Sequence, residues 1–283
     1  MSEGYRIEND SMGEVKVPKD ALYGAQTQRA VENFPVSGIC INGSLIHALG
    51  VIKQAAAKVN AELGNIPKDV AHAIQIAAQE VIDRKLDDHF PVDIYQTGSG
   101  TSSNMNANEV IAKRAMQLVQ ELSVNVHPND HINFGQSSND SFPTAIRIAG
   151  YIEAKKDLVP SLKYLRETFL SKGSEYSHVV KTGRTHLMDA MPITFEQEFG
   201  GYARQIEVGI ERIERALSNM AELPMGGTAV GTGINTHPKF PSQFAAEVSR
   251  LTGESFREAE NHFEAQATVD APVELGAQLK TLA

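Results

Sequence analysis

The sequence predicts a mainly α-helical protein: a mixed N-terminal domain followed by a bundle of long helices. Two observations carry this expectation. Phe195, Phe199, Tyr202, Ile206, Ile210, Ile213, Leu217 and Met220 recur in steps of three and four, which lays one apolar stripe along a long helix. Residues 1–40, by contrast, mix Gly, Pro and charges without any sustained period.

Taken in order, residues 1–40 read as loop with short strands. Helical patterns follow over Ser44–Leu63, stopped by Gly64, and over Lys68–Arg84, opened after Pro67. Leu86–Gln96 is a connector, and a helix is expected from Ser103 to Glu121. His127-Pro128-Asn129-Asp130-His131 reads as a turn, because Pro128 and Asn129 disfavour continued helix. From Ser141 the helices lengthen, with Phe142, Ile146, Ile152, Leu162, Leu165 and Phe169 on the first and a bend at Pro160. Val179–Met191 is an irregular or strand-like excursion ending at Pro192. Gly200, Gly201 and Gly209 leave room for another backbone against the stripe from Phe195 to Met220. Met225–Gly233 is a glycine-rich loop, and Phe263–Leu282 is helical with an interruption at Pro272. Domains are expected at 1–136 and 137–283.

Composition narrows the function classes. With 283 residues the chain can bury a sizeable core, and 41% hydrophobic with 22% charged residues is ordinary for a soluble globular protein. The single Cys40 excludes an internal disulfide and an all-cysteine iron–sulfur site. Met1-Ser2-Glu3-Gly4-Tyr5-Arg6 lacks an apolar run, and Glu3 argues against a basic transit peptide, so a cytoplasmic location is expected. No window has the apolar length of a membrane span. A net charge of −9 without a basic stripe argues against nucleic acid as a partner. That same charge repels anions at long range, so an anionic substrate must be held by local donors.

Three polar segments supply such donors. Thr97-Gly98-Ser99-Gly100-Thr101-Ser102-Ser103-Asn104 opens a helix, where free N–H groups and hydroxyls suit an anion as readily as they suit ordinary capping. Gln136-Ser137-Ser138-Asn139-Asp140 precedes another helix. Gly183-Arg184-Thr185-His186-Leu187-Met188-Asp189 adds one imidazole and one guanidinium, although Arg184 serves equally as a structural ion-pair partner. The set contains no metal-ligand spacing: His127 and His131 are four apart, but Pro128 works against the helix that would align them, and no third ligand accompanies them. The Gly-rich loop lacks the Lys-Ser/Thr of a P-loop and the strand of a dinucleotide fingerprint. Hydroxyls, amides, one imidazole and one guanidinium suit a small carboxylate.

These segments, with Ala21-Leu22-Tyr23-Gly24-Ala25-Gln26-Thr27, resemble the fumarase/aspartase superfamily, and specifically class II fumarate hydratases. The resemblance implies the fumarase/aspartase-like fold and reversible hydration of fumarate to L-malate by acid–base catalysis, without metal or organic cofactor. It implies that His186 moves a proton through water and that Thr185 bonds a substrate carboxylate. Ser99, Gly100, Thr101, Ser137, Ser138 and Asn139 would bind substrate, with one or two of these mainly capping helices. His127, Pro128, Asn129 and Asp130 match a secondary carboxylate-binding turn; the family pattern has an arginine three residues before that histidine, where this chain has Val124. Aspartate ammonia-lyases resemble this chain but carry glutamine at the place of His186, which favours a fumarate hydratase and leaves another fumarate-forming lyase, such as aspartate ammonia-lyase, as the alternative reading. A non-catalytic scaffold of the same fold is a further one, and the intact His186 and hydroxyl set argue against it.

The resemblance also implies a homotetramer in which each site is built from three chains, and a place in the tricarboxylic acid cycle. The family's mobile loop, with a Gly-Ser-Ser-x-Met-Pro-x-Lys-x-Asn-Pro pattern, does not occur in this sequence. Since that loop supplies a serine base and a substrate-binding lysine, the expectation is a central domain that is incomplete, an absent C-terminal domain, and 283 residues inactive alone.

Overall fold

The computed structural model describes residues 4–119 and 125–283, and the chain divides into two compact units. The first comprises Met1–Ala149 with Ala221–Val269; the second comprises Gly150–Met220 with Asp270–Ala283. These limits differ from 1–136 and 137–283 because the chain re-enters the first unit after one long excursion. No alternation of hydrophobic period announces such a return.

In the first unit, β1 (Tyr5–Asp10) and β2 (Gly13–Pro18) form an antiparallel hairpin, followed by α1 (Ala25–Asn33). That helix corrects the reading of residues 1–40 as loop and strand. Its apolar face is short, and its start is fixed from far away: the Glu109 carboxylate accepts from the N–H groups of Gly24, Gln26 and Thr27 at 2.9–3.1 Å. α2 (Gly43–Glu62) is capped by Asn42 and packs against α3 (Lys68–Ile82), with Pro67 as the N-cap residue of α3. Small side chains, Ala48, Ala55, Ala56, Ala71, Ala73, Ala77 and Ala78, are buried on these helices and let their axes approach. α4 (Thr101–Leu118) packs on α3, and α5 begins at Ser138 and runs to Glu153. After residue 220 come the short strand β5 (Glu222–Leu223), α8 (Phe240–Thr252), the short strand β6 (Arg257–Glu258) paired parallel to β5, and α9 (His262–Ala267). α8 is tied to α2 by Lys58 Nζ to Glu247 Oε2 at 2.6 Å.

In the second unit, a π-helical turn at Ala154–Leu158 leads into α6 (Val159–Glu175); then come the antiparallel hairpin β3 (Val180–Thr185) and β4 (Met188–Thr194), α7 (Phe195–Met220) and α10 (Asp270–Leu282). α7 has the bounds that the stripe marks, and it buries Ile206, Ile210, Ile213, Leu217 and Met220 against α6 and α10. A Cβ at Gly209 would overlap the Leu282 side chain, whereas one at Gly200 or Gly201 would meet nothing within 4 Å among the described residues.

Other boundaries move for identifiable reasons. α4 starts at Thr101, two residues before the expected Ser103, because Gly100 supplies the left-handed turn that begins it. Its expected end at Glu121, like Val124, lies outside the described residues. The irregularity near Pro160 falls at Ala154–Leu158: proline cannot donate to the carbonyl four residues back, and a wider π turn accommodates its ring. Pro272 sits in the first turn of α10, where a missing N–H costs nothing, and the break lies at Thr268–Val269.

Candidate functional site

The openings of α4 and α5 come together in the first unit. Gly100 adopts φ +70° as the N-cap of α4, and a Cβ there would fall inside the Phe142 ring of α5. Glycine is required twice over, for conformation and for contact. Ser99 Oγ and Thr101 Oγ1 lie 2.8 Å apart at this exposed opening. Gln96 Oε1 takes the Ser103 N–H at 2.8 Å, which leaves the Thr101 and Ser102 amides as donors without a partner among the described residues. A helix start of this kind carries partial positive charge.

The opening of α5 is a capping box. Ser137 Oγ accepts from Asn139 N at 3.2 Å, while Asp140 Oδ1 accepts from Ser137 N at 2.9 Å. Ser137 therefore has a capping task that its position in the motif does not reveal. Asp140 does more. Its Oδ2 accepts from Gly226 N at 3.1 Å and Thr228 N at 2.9 Å, and Asn139 Nδ2 donates to Ala229 O at 2.8 Å. The Gly-rich loop is thus fastened to the α5 opening.

Beneath both openings lies a buried lysine. Lys53 Nζ, from the middle of α2, donates to Asn104 Oδ1 at 2.7 Å, Gln136 Oε1 at 2.9 Å and Asn133 Oδ1 at 3.0 Å. Asn104 Nδ2 in turn donates to Ser138 Oγ at 2.9 Å. Burial pulls the Lys53 pKa down to about 7, with the Asp140 charge opposing that shift. Burial also pushes Asp140 up to about 6, against its backbone hydrogen bonds and the charge of Lys53.

The turn expected at His127–His131 is a single π-helical turn, Pro128–Ile132. Pro128 opens it without cost because a first-turn residue needs no N–H partner. His127 Nδ1 accepts from Asn129 N at 3.3 Å and Asp130 N at 3.2 Å, and His127 N donates to His131 Nδ1 at 2.9 Å. An accepting Nδ1 leaves Nε2 to carry the proton. Asp130 Oδ2 lies 3.2 Å from the same Nδ1, a pairing that requires a proton there; the two backbone donors make the accepting form the better fit.

His186 and Thr185 lie in the second unit, at the tip of the β3–β4 hairpin. His186 and Leu187 have φ of +53° and +61°, the mark of a tight primed turn made without glycine. The tip is bare: Leu187 is 97% exposed. Arg184 lies 3.5 Å from Asp189 on this exposed hairpin, consistent with the ion-pair role.

The structure brings Ser99, Gly100, Thr101, Ser137, Ser138 and Asn139 into one region of the first unit, with Lys53, Asn104, Asn133, Gln136, Asp140 and Thr228 behind them. Of this second group, Lys53 had a legible signal. A lysine inside the apolar run Val51-Ile52-Lys53-Gln54-Ala55 of a buried helix must have polar partners. No group of three or more His, Cys, Asp or Glu able to hold a metal ion occurs among the described residues.

Two helix openings with hydroxyls around them form a geometry suited to a small anion. Residues 13–283 match the lyase family, and the chain belongs to it. It is 56% identical over 273 residues, 96% of the chain, to a class II fumarate hydratase of Halobacterium salinarum, and 52% identical over its whole length to one of Mycobacterium tuberculosis. It spans 58% and 59% of the length of these two relatives. A class II fumarase from Schistosoma mansoni superposes with a TM-score of 0.95 at 38% identity, covering 98% of this chain and 62% of that one. A fumarate lyase:delta crystallin from Brucella melitensis bound to cobalt gives 0.92 at 40% identity, covering 98% of this chain and 61% of that one. The fold is the mainly α, fumarase-like fold. Among the described residues, no helix is long and apolar enough to cross a membrane.

Proposed function

We propose that the protein hydrates fumarate reversibly to L-malate, as a cytoplasmic homotetramer serving the tricarboxylic acid cycle. The observation that supports this best is the pair of helix openings with the Ser99, Thr101 and Ser138 hydroxyls around them, in a chain that resembles class II fumarate hydratases at 50–56% identity. Ser99, Thr101, Ser138 and the free amides of α4 bind the substrate carboxylates; Ser137 and Asn139 shape the α5 opening. In the malate-to-fumarate direction a base removes the proton beside one carboxylate, which becomes a doubly charged aci form. Preorganised donors stabilise that charge as it develops. His186 transfers a proton through water to the departing hydroxyl, and Thr185 holds a carboxylate.

His127, Pro128, Asn129 and Asp130 form a secondary carboxylate site, in which the Nε2–H of His127 is the donor. No metal or organic cofactor takes part. The test is L-malate formed from fumarate by the intact protein, set against ammonia released from aspartate. Ammonia release without hydration would favour the fumarate-forming ammonia-lyase reading.

A further inference from the structure

We infer that Lys53 is a positioning residue for the dicarboxylate site, acting on the Ser138 hydroxyl through the Asn104 amide. The inference rests on the reading of the α4 and α5 openings as that site. Three amide oxygens surround Lys53 Nζ at 2.7–3.0 Å, and three acceptors call for the three hydrogens of an ammonium. Asn104 belongs to the first turn of α4, while Asn133 and Gln136 belong to the segment that leads into α5. One cation therefore braces both openings at once.

The chain of bonds has a direction. With its oxygen held by the ammonium, Asn104 presents its N–H groups outward, to Ser138 Oγ at 2.9 Å and Asn133 Oδ1 at 3.2 Å. Ser138 Oγ accepts, so its own hydrogen is free, and no acceptor for it occurs among the described residues. A hydroxyl that accepts from a polarised amide is itself a stronger donor, because hydrogen bonds in series reinforce one another in a low dielectric. The positive charge of Lys53 thus reaches the substrate carboxylate by polarisation, without proton transfer. The net charge of the protein is −9, so this buried cation is a local source of the attraction that the global field denies.

The test is a double-mutant cycle in the intact protein, read as the dissociation constant of succinate, a saturated dicarboxylate, and as KM against kcat for fumarate. Lys53→Met keeps an unbranched side chain, one atom shorter, and removes the charge. The expected result is about tenfold weaker succinate binding and a raised KM with a smaller change in kcat. The double variant with Ser138→Ala should bind no more weakly than Ser138→Ala alone. Additive losses, or unchanged binding in Lys53→Met, overturn the inference. If Ser138→Ala itself binds succinate normally, the assignment of the site fails instead. Where Lys53→Met does not fold, Asn104→Ala cuts the same chain one link later and is read in the same cycle, with additivity again the contrary result.

Discussion

Ser138 and Ser137 are neighbours of one residue type with different work. Ser137 spends its oxygen on the cap of α5, whereas Ser138 receives the Asn104 amide and keeps its hydrogen free. Side chains of the second kind are the ones to alter. Thr101→Val and Ser138→Ala should each weaken substrate and succinate together, by about ten- to a hundredfold, since a bond to a charged group contributes about 1.5–3 kcal/mol. Unchanged succinate titrations in both would contradict the anion site. Lys53 also leaves a mark on stability. Its pKa falls from 10.5 unfolded to about 7 folded, so between these values the unfolded chain holds the extra proton and stability rises with pH. Asp140, raised from 3.8 to about 6, works oppositely and lower: its contribution is lost as pH rises through about 6. Denaturant titrations from pH 7 to 10 should show the rise in the native protein and a flatter profile in Lys53→Met. An equal slope in both would contradict the burial of the charge.

The meeting of α4 and α5 depends on Gly100. Gly100→Ala forces φ +70° on a residue with a Cβ and drives that atom into the Phe142 ring. Left-handed strain costs about 1–2 kcal/mol and overpacking about 1–3 kcal/mol, so a loss of about 2–5 kcal/mol is expected by thermal or denaturant unfolding, along with weakened succinate binding. A stable variant with intact binding would contradict the geometry. Such elements were legible in the sequence to different degrees. α7 has the bounds its stripe marks, because its buried face is one helix's own periodicity. α1 was not legible, because Glu109, more than eighty residues away, organises its first turn. The substrate-binding segments could be read from the hydroxyls they display. Their support was legible only at Lys53, a charge inside an apolar run: Asn133 and Asp140 acquire meaning only when α2 and the Gly-rich loop fold against them.

At the scale of the whole molecule, the hairpin that carries His186 exposes Leu187, Met188 (69%) and Met191 (77%), and Tyr164 on α6 is 78% exposed. Apolar surface of this kind marks association. The homotetramer proposed here gives it partners and brings His186 to sites shared among copies. Sedimentation or light scattering of the intact protein should therefore report four chains, and a monomer with full activity would contradict shared sites. The central claim remains the chemistry. Fumarate absorbance followed with the intact protein in the presence of a metal chelator should fall toward equilibrium with L-malate, and His186→Asn should slow that fall ~10²–10⁴-fold while succinate still binds. Activity abolished by the chelator and restored by iron, or near-native turnover in His186→Asn, would contradict the account.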